Sequence, residues 1–402
     1  MRRSLSQYLT VTGTYWGFTL SDGALRILVL FHFFKLGYSP FTLALLFLMY
    51  EVAGIIANLG GGWLATRFGI PRMLLLGIAT QILGLLFLSC LDPTFGPFLS
   101  VIWVVVAQGI AGLAKDITKT ASKSAIKVVK IDEGEGLFRW VAWFTGSKNV
   151  MKGVGFLLGG VMLTTMGFRG GLWLMAGLLG LLAVLVVFTL PSKLGAGVSS
   201  RTIKELFSKS SAVNTIALAR IFLFGARDTW FVVALPVFLY ANGWSFWEVG
   251  GFLALWTMLY GLVQGVAPAI IRITNASAIS RSGTVGWAVA LALALIGISV
   301  CMIVEMGVPV LITGLLVFGV FFAINSSLHS FLIVAYAGSK KAAEDIGFYY
   351  AANAAGRLAG TFLSGFLYHQ GGLLACLAGS ALFLVITALM VARLPKLKNI
   401  SS

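Results

Sequence analysis

The chain has 402 residues, of which 59% are hydrophobic and only 10% are charged. A soluble domain could not bury that much apolar surface, so the composition excludes a soluble protein and predicts an integral membrane protein. The net charge of +16 is dispersed over short loops rather than gathered in a basic and aromatic patch, so nucleic acid is not expected as a partner.

The apolar segments are long enough to cross a lipid bilayer, which takes about 20 mostly apolar residues per helix. Breaks at charged residues and at proline or glycine clusters divide the chain into twelve such segments. They lie near residues 8–34, 41–65, 72–91, 98–126, 138–165, 170–190, 213–240, 246–270, 283–304, 308–335, 344–368 and 371–392. The sequence therefore predicts an all-α membrane protein with twelve transmembrane helices and short loops.

The positive charges concentrate in alternate loops. Starting from Arg2 and Arg3, every second connection is rich in lysine and arginine, whereas the other loops hold little beyond Lys35 and Arg169. Because the cytoplasmic loops of membrane proteins carry the excess of these residues, both termini are predicted to be cytoplasmic.

An internal repeat relates the first and second parts of the chain. Gly-Tyr-Ser at 37–39 and Gly-Trp-Ser at 243–245 each join two apolar segments. The same gapless shift aligns Tyr50 with Trp256, Asn58 with Gln264, and Asp22 with Asp228. Agreement of these positions at one shift indicates an internal duplication.

The longest polar stretch, residues 191–211, lies between the two repeats. We therefore predict an N-terminal six-helix bundle at 1–190, a cytoplasmic linker at 191–211 and a C-terminal six-helix bundle at 212–402. Two parallel six-helix repeats joined in this way are typical of the major facilitator fold. In that fold the substrate binds near the bilayer midplane, between the two bundles.

Six basic residues lie deep inside apolar segments, far from either end. They are Arg26, Lys148, Lys152, Arg220, Arg227 and Arg357. A cation at the bilayer centre costs roughly 2.5–3.5 kcal/mol, so these side chains are expected to face a hydrated cavity; snorkelling to the lipid surface is the alternative. The acidic residues at this depth are Asp22, Glu51 and Asp228, with Asp116 at the border. The cavity is therefore predicted to be positive and to bind a small anion.

Helical spacing places several cations on common faces. Lys148 and Lys152 are four residues apart, and Arg220 and Arg227 are seven apart, so each pair is expected on one face of its helix. Lys115 begins a series of lysines at 115, 119, 123 and 127. This series predicts a single stripe, which is either a solvated cytoplasmic face or a funnel that attracts an anionic substrate.

The two buried aspartates suggest ion pairs or a proton path. Asp22 is expected to pair with Arg26, four residues later. Asp228 is expected to pair with Arg220, because Asp228 and its neighbour Arg227 should point in different directions. The aspartates either position arginines or carry a proton, or they pair for purely structural reasons.

Three further polar residues lie at membrane depth. Glu51 is either a protonation site or a neutral, hydrogen-bonded acid. Asn325 and His329 lie in a segment of the cavity-lining type. They are predicted either to contact the substrate or to be satisfied packing residues.

The stretch Gly-Trp-Leu-Ala-Thr-Arg-Phe-Gly-Ile-Pro-Arg, from Gly62 to Arg72, resembles the major facilitator loop signature GxLADRxGRK. Glycine permits a tight turn there, and the arginines anchor the loop at the cytoplasmic surface. Thr66 replaces the usual aspartate, so the charge-relay role of that aspartate does not transfer. Gly62, Arg67, Gly69 and Arg72 are predicted to form either a gating loop or a plain interfacial turn.

Two shorter motifs match the superfamily in part. Gln-Gly at 108–109 resembles the motif RxxQGxG, whose arginine position holds Val105, and Lys115 is a candidate substitute for that arginine. Gly-Phe-Leu-Leu-Gly-Gly at 155–160 resembles the GPxxGG motif of the antiporter branch, with Phe156 in place of proline. A glycine packing face is the alternative interpretation of residues 155–160.

Reactive and metal-binding groups are sparse in the sequence. The cysteines Cys90, Cys301 and Cys376 are far apart and lack the spacing of metal ligands, so no metal or cofactor is expected. No nucleophile stands at a sensible spacing from a base, so the chain is not expected to be an enzyme.

Several stretches resemble one branch of the superfamily more specifically. They are Ser-Asp-Gly-Ala-Leu-Arg at 21–26, Ala-Lys-Asp-Ile-Thr-Lys at 114–119, Ser-Lys-Ser-Ala-Ile-Lys at 122–127, Phe-Arg-Trp at 138–140, Thr-Gly-Ser-Lys-Asn at 145–149, Phe-Gly-Ala-Arg-Asp at 224–228 and Gly-Trp-Ser-Phe-Trp at 243–247. Together they are similar to the organoarsenical efflux permeases of the major facilitator superfamily, the ArsJ type. The resemblance implies export of 1-arseno-3-phosphoglycerate across a bacterial inner (plasma) membrane, and hence arsenate resistance.

The resemblance also implies a functional link to a glyceraldehyde-3-phosphate dehydrogenase, which makes the arsenate ester that the permease removes. Protons, or phosphate in exchange, are the expected driving ions. The two tetrahedral oxyanion groups of this substrate need separate cationic sites. One bundle would supply Arg26, Lys148 and Lys152, and the other Arg220, Arg227 and Arg357. A permease of the same fold for another organophosphate or organic anion is the alternative.

Overall fold

The computed structural model describes residues 2–128, 135–191, 194, 210–274, 281–336 and 342–395, and all regular structure within them is α-helical. The helices are α1 (Arg2–Lys35), α2 (Pro40–Phe68), α3 (Ile70–Ser89), α4 (Pro97–Val128), α5 (Glu135–Thr165), α6 (Gly167–Thr189), α7 (Ser211–Phe231), α8 (Ala234–Ala241), α9 (Phe246–Thr274), α10 (Arg281–Ile303), α11 (Val308–Tyr336) and α12 (Ala342–Ala392). The predicted fold class, an all-α membrane protein, is confirmed.

Ten stretches among the described residues are long and apolar enough to cross a membrane. One of them, Ser211–Ala241, comprises both α7 and α8, and another lies within α12, which contains two spans. Helix α5 is not among the ten, although it packs lengthwise between α1 and α9. If α5 is added and the two parts of α12 are counted separately, the described spans match the twelve predicted segments.

Helix α12 reverses direction in its middle. Gly371 and Gly372 leave the helical conformation, and Gly372 has a left-handed φ of 63°, which glycine adopts without a steric penalty from Cβ. Beyond this break the chain folds back, and residues on its two sides come into contact. A Cβ atom built on Gly379, after the break, would lie 2.7 Å from Leu367 Cδ1, before it. The two spans of α12 are therefore joined by almost no loop.

The seventh span is interrupted between α7 and α8. Pro236 lacks an amide hydrogen, and its ring cannot sit beside the carbonyl group of the preceding helical turn, so a continuous helix ends before it. The freed N–H groups of Val233 and Ala234 donate to Ser364 Oγ at 3.2 and 3.0 Å. Ser364 on α12 thus satisfies the backbone of this break inside the protein.

At one end of the helices all described connections are short turns. They are residues 36–39, 90–96, 166, 242–245, 304–307 and 371–372. Gly37 and Gly243, which the repeat aligns, adopt left-handed φ values of 84° and 86°. In the turn at 90–96, the N–H and hydroxyl groups of Thr94 donate to the Asp92 carboxylate and lower its pKa. This end carries the loops that the charge distribution predicts to lie outside the cell.

Glycines bring α5 into backbone contact with two neighbours. A Cβ atom on Gly155 or Gly159 would lie 2.4 Å from a carbonyl oxygen of α1, and one on Gly153 would lie 2.6 Å from a carbonyl oxygen of α9. Such close approach between helices requires residues without side chains. Residues 155–160 therefore form a glycine packing face in the structure.

Most residues of the motif at 62–72 lie in helix α2 rather than in a loop. The expectation that Gly62 lies in the turn is wrong, because α2 continues to Phe68 and Gly69 alone turns the chain, with φ of 78°. Arg72 is exposed in the first turn of α3, and the side chain of Arg67 lies outside the described residues. The gating role of this motif stays a prediction. So does the division into bundles at 191–211, because most of that stretch is not described.

We expect Gly159→Ala to destabilise the protein, because the new methyl group would overlap the carbonyl group of Ala24 and force α1 and α5 apart. Overpacking of this kind typically costs about 1–3 kcal/mol. The matched control is Gly177→Ala in the exposed face of α6, where no atom lies within 4 Å of the added Cβ atom. Thermal unfolding in detergent should show a lower midpoint for the first variant only; equal midpoints would contradict the close packing.

Candidate functional site

A cavity of about 140 Å³ lies between the helices. Side chains from α1, α4, α5, α7, α9 and α12 line most of it, and α2 and α11 contribute one residue each. An engineered protein cavity of about 150 Å³ holds a benzene molecule. The space therefore suits a small organic molecule.

Eleven of the 31 residues that line this cavity carry a charge. Eight of them are cationic, namely Arg26, Lys115, Lys119, Lys148, Lys152, Arg220, Arg227 and Arg357. Three are acidic, namely Asp22, Asp116 and Asp228, and Glu51 lies behind them in ion-pair contact with the lining. Eight cations against these four carboxylates leave an excess of four positive charges, which an anionic ligand would balance. All six deep cations predicted from the sequence lie on this lining.

Glu51 is the central carboxylate of the site. Its Oε1 atom lies 2.6 Å from Arg357 Nη2 and 3.8 Å from Arg26 Nη1, and its Oε2 atom lies 3.9 Å from Lys115 Nζ. These cations belong to α12, α1 and α4, so one fully buried side chain ties three helices to α2. The two interpretations of Glu51, a protonation site and a neutral, hydrogen-bonded acid, stay predictions.

Asp228 holds two arginines rather than one. Its Oδ1 atom accepts from Arg227 Nε and Nη2 at 2.6 and 2.5 Å, and its Oδ2 atom accepts from Arg357 Nε at 3.1 Å. The prediction that Asp228 pairs with Arg220 and faces away from Arg227 is wrong. An arginine side chain is long enough to fold back onto its sequence neighbour, whatever the directions of the two Cβ atoms.

Asp22 does not pair with Arg26, contrary to prediction. It accepts a hydrogen bond of 2.5 Å from the hydroxyl group of Tyr50 on α2, and no cation in the described part of the chain lies within 4 Å of its carboxylate. The guanidinium carbon of Arg26 instead lies 5.2 Å from the centre of the Phe47 ring, and the group turns towards Glu51. Among the four carboxylates of the site, Asp22 thus has a neutral partner.

Asp116 neutralises part of the lysine stripe on α4. Lys115 Nζ lies 3.2 Å from its carboxylate, and Lys119 donates a hydrogen bond to it. Lys115 also stacks on the Tyr50 ring at 4.0 Å, and Lys119 lies 5.2 Å from the Tyr350 ring on α12. Lys115 and Lys119 therefore face the cavity, whereas the side chains at 123 and 127 are not described.

The lining cations Lys152 and Arg220 have no carboxylate within 4 Å in the described part of the chain. The ammonium group of Lys152 lies 5.6 Å from the Phe156 ring, one helical turn from Lys148, which also lines the cavity. Arg220 contacts neutral groups: its Nε donates to Asn353 Oδ1 at 2.9 Å, and its Nη1 donates to the carbonyl and hydroxyl oxygens of Ser326 at 3.1 and 3.2 Å. Both side chains line the cavity without a carboxylate beside them in the described part of the chain.

Asn325 and His329 lie outside the cavity, so the prediction that they contact substrate is wrong. Both are fully buried in α11, where Asn325 donates to the carbonyl oxygens of Trp287 and Phe321. The neighbouring Ser330 lines the cavity instead. Helix α11 was expected to face the site, but the rotation of the helix about its axis places these two residues on its packed side.

The partners of the cations were not found from the sequence. Tyr50, Ser326 and Asn353 are uncharged, and such residues at membrane depth carry no distinctive pattern. A weak signal existed for Gln264, which the repeat aligns with Asn58, and both residues line the cavity. Only the packing of distant helices shows which neutral group meets which charge.

Aromatic side chains close the cavity towards the end with short turns. Phe31 of α1 packs against Phe246 of α9 at 4.8 Å between ring centres, and Phe34 packs against Tyr240 of α8 at 5.0 Å. Lys35 Nζ lies 4.4 Å from the Phe246 ring. The lining residues extend from the middle of the helices towards the opposite end, which is the predicted cytoplasmic side.

The cavity and its surrounding helices have the features of a binding site for a small molecule. The described residues include no group of three histidine, cysteine or acidic side chains that could hold a metal ion. Membrane-spanning helices around a central, charged cavity are typical of membrane transporters for small molecules. The family model of the Major Facilitator Superfamily matches residues 10–304, so the chain belongs to this superfamily of membrane transporters. No curated protein matches the sequence.

We expect Glu51→Gln and Arg357→Gln to be non-additive, because each variant breaks the same ion pair between α2 and α12. Either single change leaves a buried charge without its partner and should lower the unfolding midpoint markedly. The double variant should lose less than the sum, with a coupling of about 0.5–3 kcal/mol. The control cycle combines Glu51→Gln with Arg220→Gln, which share no contact and should add. Additivity in both cycles would show that the ion pair contributes nothing.

Proposed function

We propose that this transporter exports 1-arseno-3-phosphoglycerate by alternating access and thereby confers arsenate resistance. The observation that carries the proposal is the excess of cations over carboxylates around a small cavity in the membrane core. Such an excess is costly in lipid unless an anion of several negative charges occupies the site. A three-carbon acid with an arsenate and a phosphate group has that charge and a fitting size.

The type of cation supports tetrahedral oxyanions as ligands. Arginine grips phosphate-like groups through two parallel hydrogen bonds, and lysine adds a compact point charge. None of the three cysteines contributes to the described lining, so the site offers no thiolates for trivalent arsenic. Arsenic carried here is therefore recognised as an oxyanion. The sequence resemblance to organoarsenical permeases points to the same class of substrate.

The direction and the driving force of transport form part of the proposal. Both termini lie in the cytoplasm of a bacterium, and the protein spans its inner membrane, so the aromatic closure faces outwards and the cavity loads from inside. Asp22, which has a neutral partner, is the preferred proton carrier, and exchange for phosphate is the alternative. The substrate comes from a glyceraldehyde-3-phosphate dehydrogenase that accepts arsenate.

A second candidate is a permease of the same fold for another organophosphate, such as a sugar phosphate. The observation that favours it is that every cation in the site recognises charge, and none distinguishes arsenic from phosphorus. Uptake of labelled glycerol 3-phosphate and of the arsenical by everted vesicles would separate the two. Preference for the organophosphate would contradict the arsenical assignment.

We expect Lys152→Gln to abolish arsenate resistance in a sensitive bacterial host that co-expresses the dehydrogenase. This variant removes a cavity charge without freeing a carboxylate, because no acidic group lies within 4 Å of Lys152 in the described part of the chain. Arg227→Gln and Lys148→Gln should have the same effect. The matched control is Lys35→Gln at the end of α1, which should keep resistance. Membrane protein levels must be equal, and full resistance of the Lys152 variant would remove this residue from the site.

A further inference from the structure

We propose that Arg220, fixed by Ser326 and Asn353, forms a dedicated subsite for one tetrahedral oxyanion group of the transported anion. This subsite is separate from the carboxylate-paired centre at Glu51 and Asp228. The inference rests on the proposed function in one respect only, namely that the cavity carries a phosphorylated or arsenylated organic anion.

Arg220 is the most enclosed charge of the site without a carboxylate. It is 5% exposed, and its described partners are an amide oxygen, a hydroxyl group and a backbone carbonyl group. A buried charge without a countercharge destabilises a protein strongly, since neutral hydrogen bonds replace only part of its hydration. An oxyanion ligand supplies the missing countercharge.

The hydrogen bonds of Arg220 leave one side of its guanidinium group free. Asn353 uses Nε and Ser326 uses Nη1, whereas Nη2 makes no hydrogen bond in the described part of the chain. Nη2 is not fully enclosed by the protein, and Arg220 lines the cavity. The Phe224 and Tyr349 rings lie 3.9 and 5.0 Å from its guanidinium carbon and restrict its movement. A donor is thus held ready at the cavity wall.

Neutral side chains from several helices fix the position of this donor. Ser326 Oγ is shared by Arg220, by the Tyr260 hydroxyl group at 3.1 Å and by Gln264 Nε2 at 3.3 Å. Asn149 of α5 in turn donates to Gln264 Oε1 at 2.6 Å. The network joins α5, α7, α9, α11 and α12, so the guanidinium group is preorganised before any ligand arrives.

The distance from the centre suits an anion with two charged ends. Arg227 lies two helical turns further along α7, about 10 Å along the helix axis. Phe224 lies near both guanidinium groups, at 3.9 Å from Arg220 and 5.2 Å from Arg227. Arg227 must exchange Asp228 for a ligand, whereas Arg220 has no carboxylate to release. The two ends of one substrate would therefore meet one permanent and one exchangeable site.

Asn353→Asp tests the subsite by replacing one side-chain nitrogen atom with oxygen. The new carboxylate would accept the same hydrogen bond from Arg220 and neutralise it, so an oxyanion would lose its partner while the fold keeps its contact. We expect the purified full-length protein in nanodiscs to bind labelled inorganic phosphate and glycerol 3-phosphate at least about tenfold more weakly. The unfolding midpoint should stay the same or rise. An affinity that Asn353→Asp leaves unchanged would overturn the subsite.

The same substitution in an Arg220→Gln background separates a local effect from a general change in cavity charge. Asn353→Asp should have no further effect there, whereas an equal loss in both backgrounds would overturn the subsite. If Arg220→Gln fails to fold, Arg220→Lys serves as the second background, and the effect of Asn353→Asp should shrink. Asn214→Asp, on the exposed start of α7, is the matched control and should bind like the wild type.

The binding measurements also separate the test of this subsite from the test of the proposed function. Wild-type binding that Asn353→Asp leaves intact would overturn the subsite and leave the anion transporter standing. A wild-type protein that binds neither phosphate nor glycerol 3-phosphate would overturn both.

Discussion

Every cation in the core of this protein must find a countercharge, because lipid offers none. The carboxylate of Glu51 meets this need for three cations at once and so fixes α1, α4 and α12 around α2. Arg357 extends the same arrangement to Asp228 on α7. The relative positions of the helices follow from these contacts as much as from apolar packing. The apolar surface of a helix gains no hydrophobic free energy when it leaves lipid for another helix.

This electrostatic centre divides the cations of the cavity into two classes. Arg227 and Arg357 have carboxylate partners at hydrogen-bond distance, so a ligand must compete with Asp228 and Glu51 for them. Arg220 and Lys152 have no such competitor among the described residues. A transporter needs binding that is strong enough to select its cargo and weak enough to release it. Competition from the carboxylates lowers the affinity of the paired cations for a ligand and eases its release. The cations without such a competitor supply the affinity that selects the ligand.

The fold could be predicted from the sequence because its signals are local. Hydropathy located the spans, and the break at Gly371 and Gly372 coincides with a predicted boundary. Helix α5 was predicted as a span although its lysines obscure the signal, because the charges were expected to face a cavity. The turn at Gly69 lies within the predicted connection at 66–71, but α2 continues to Phe68, since Gly62 and its neighbours are as compatible with the end of a helix as with a loop.

The site could be predicted only in part, because pairing depends on which distant helices become neighbours. Depth in an apolar segment identified six of the eight cations of the lining, whereas helical periodicity gave the wrong partners for Asp22 and Asp228. Tyr50 and Arg357 reach these aspartates from other helices, which no spacing within α1 or α7 reveals. Asn325 and His329 were misplaced for a related reason, since the rotation of α11 is fixed by its neighbours.

The short turns at one end of the helices also determine the surface that the protein presents to other molecules on that side. The longest of these described connections has seven residues, 90–96, and hydrogen bonds to Asp92 order it internally. An antibody, a phage or a protease that approaches from this side therefore finds few epitopes and almost no cleavable backbone. A binder raised to trap one conformation would have to recognise this single turn together with the tips of the surrounding helices.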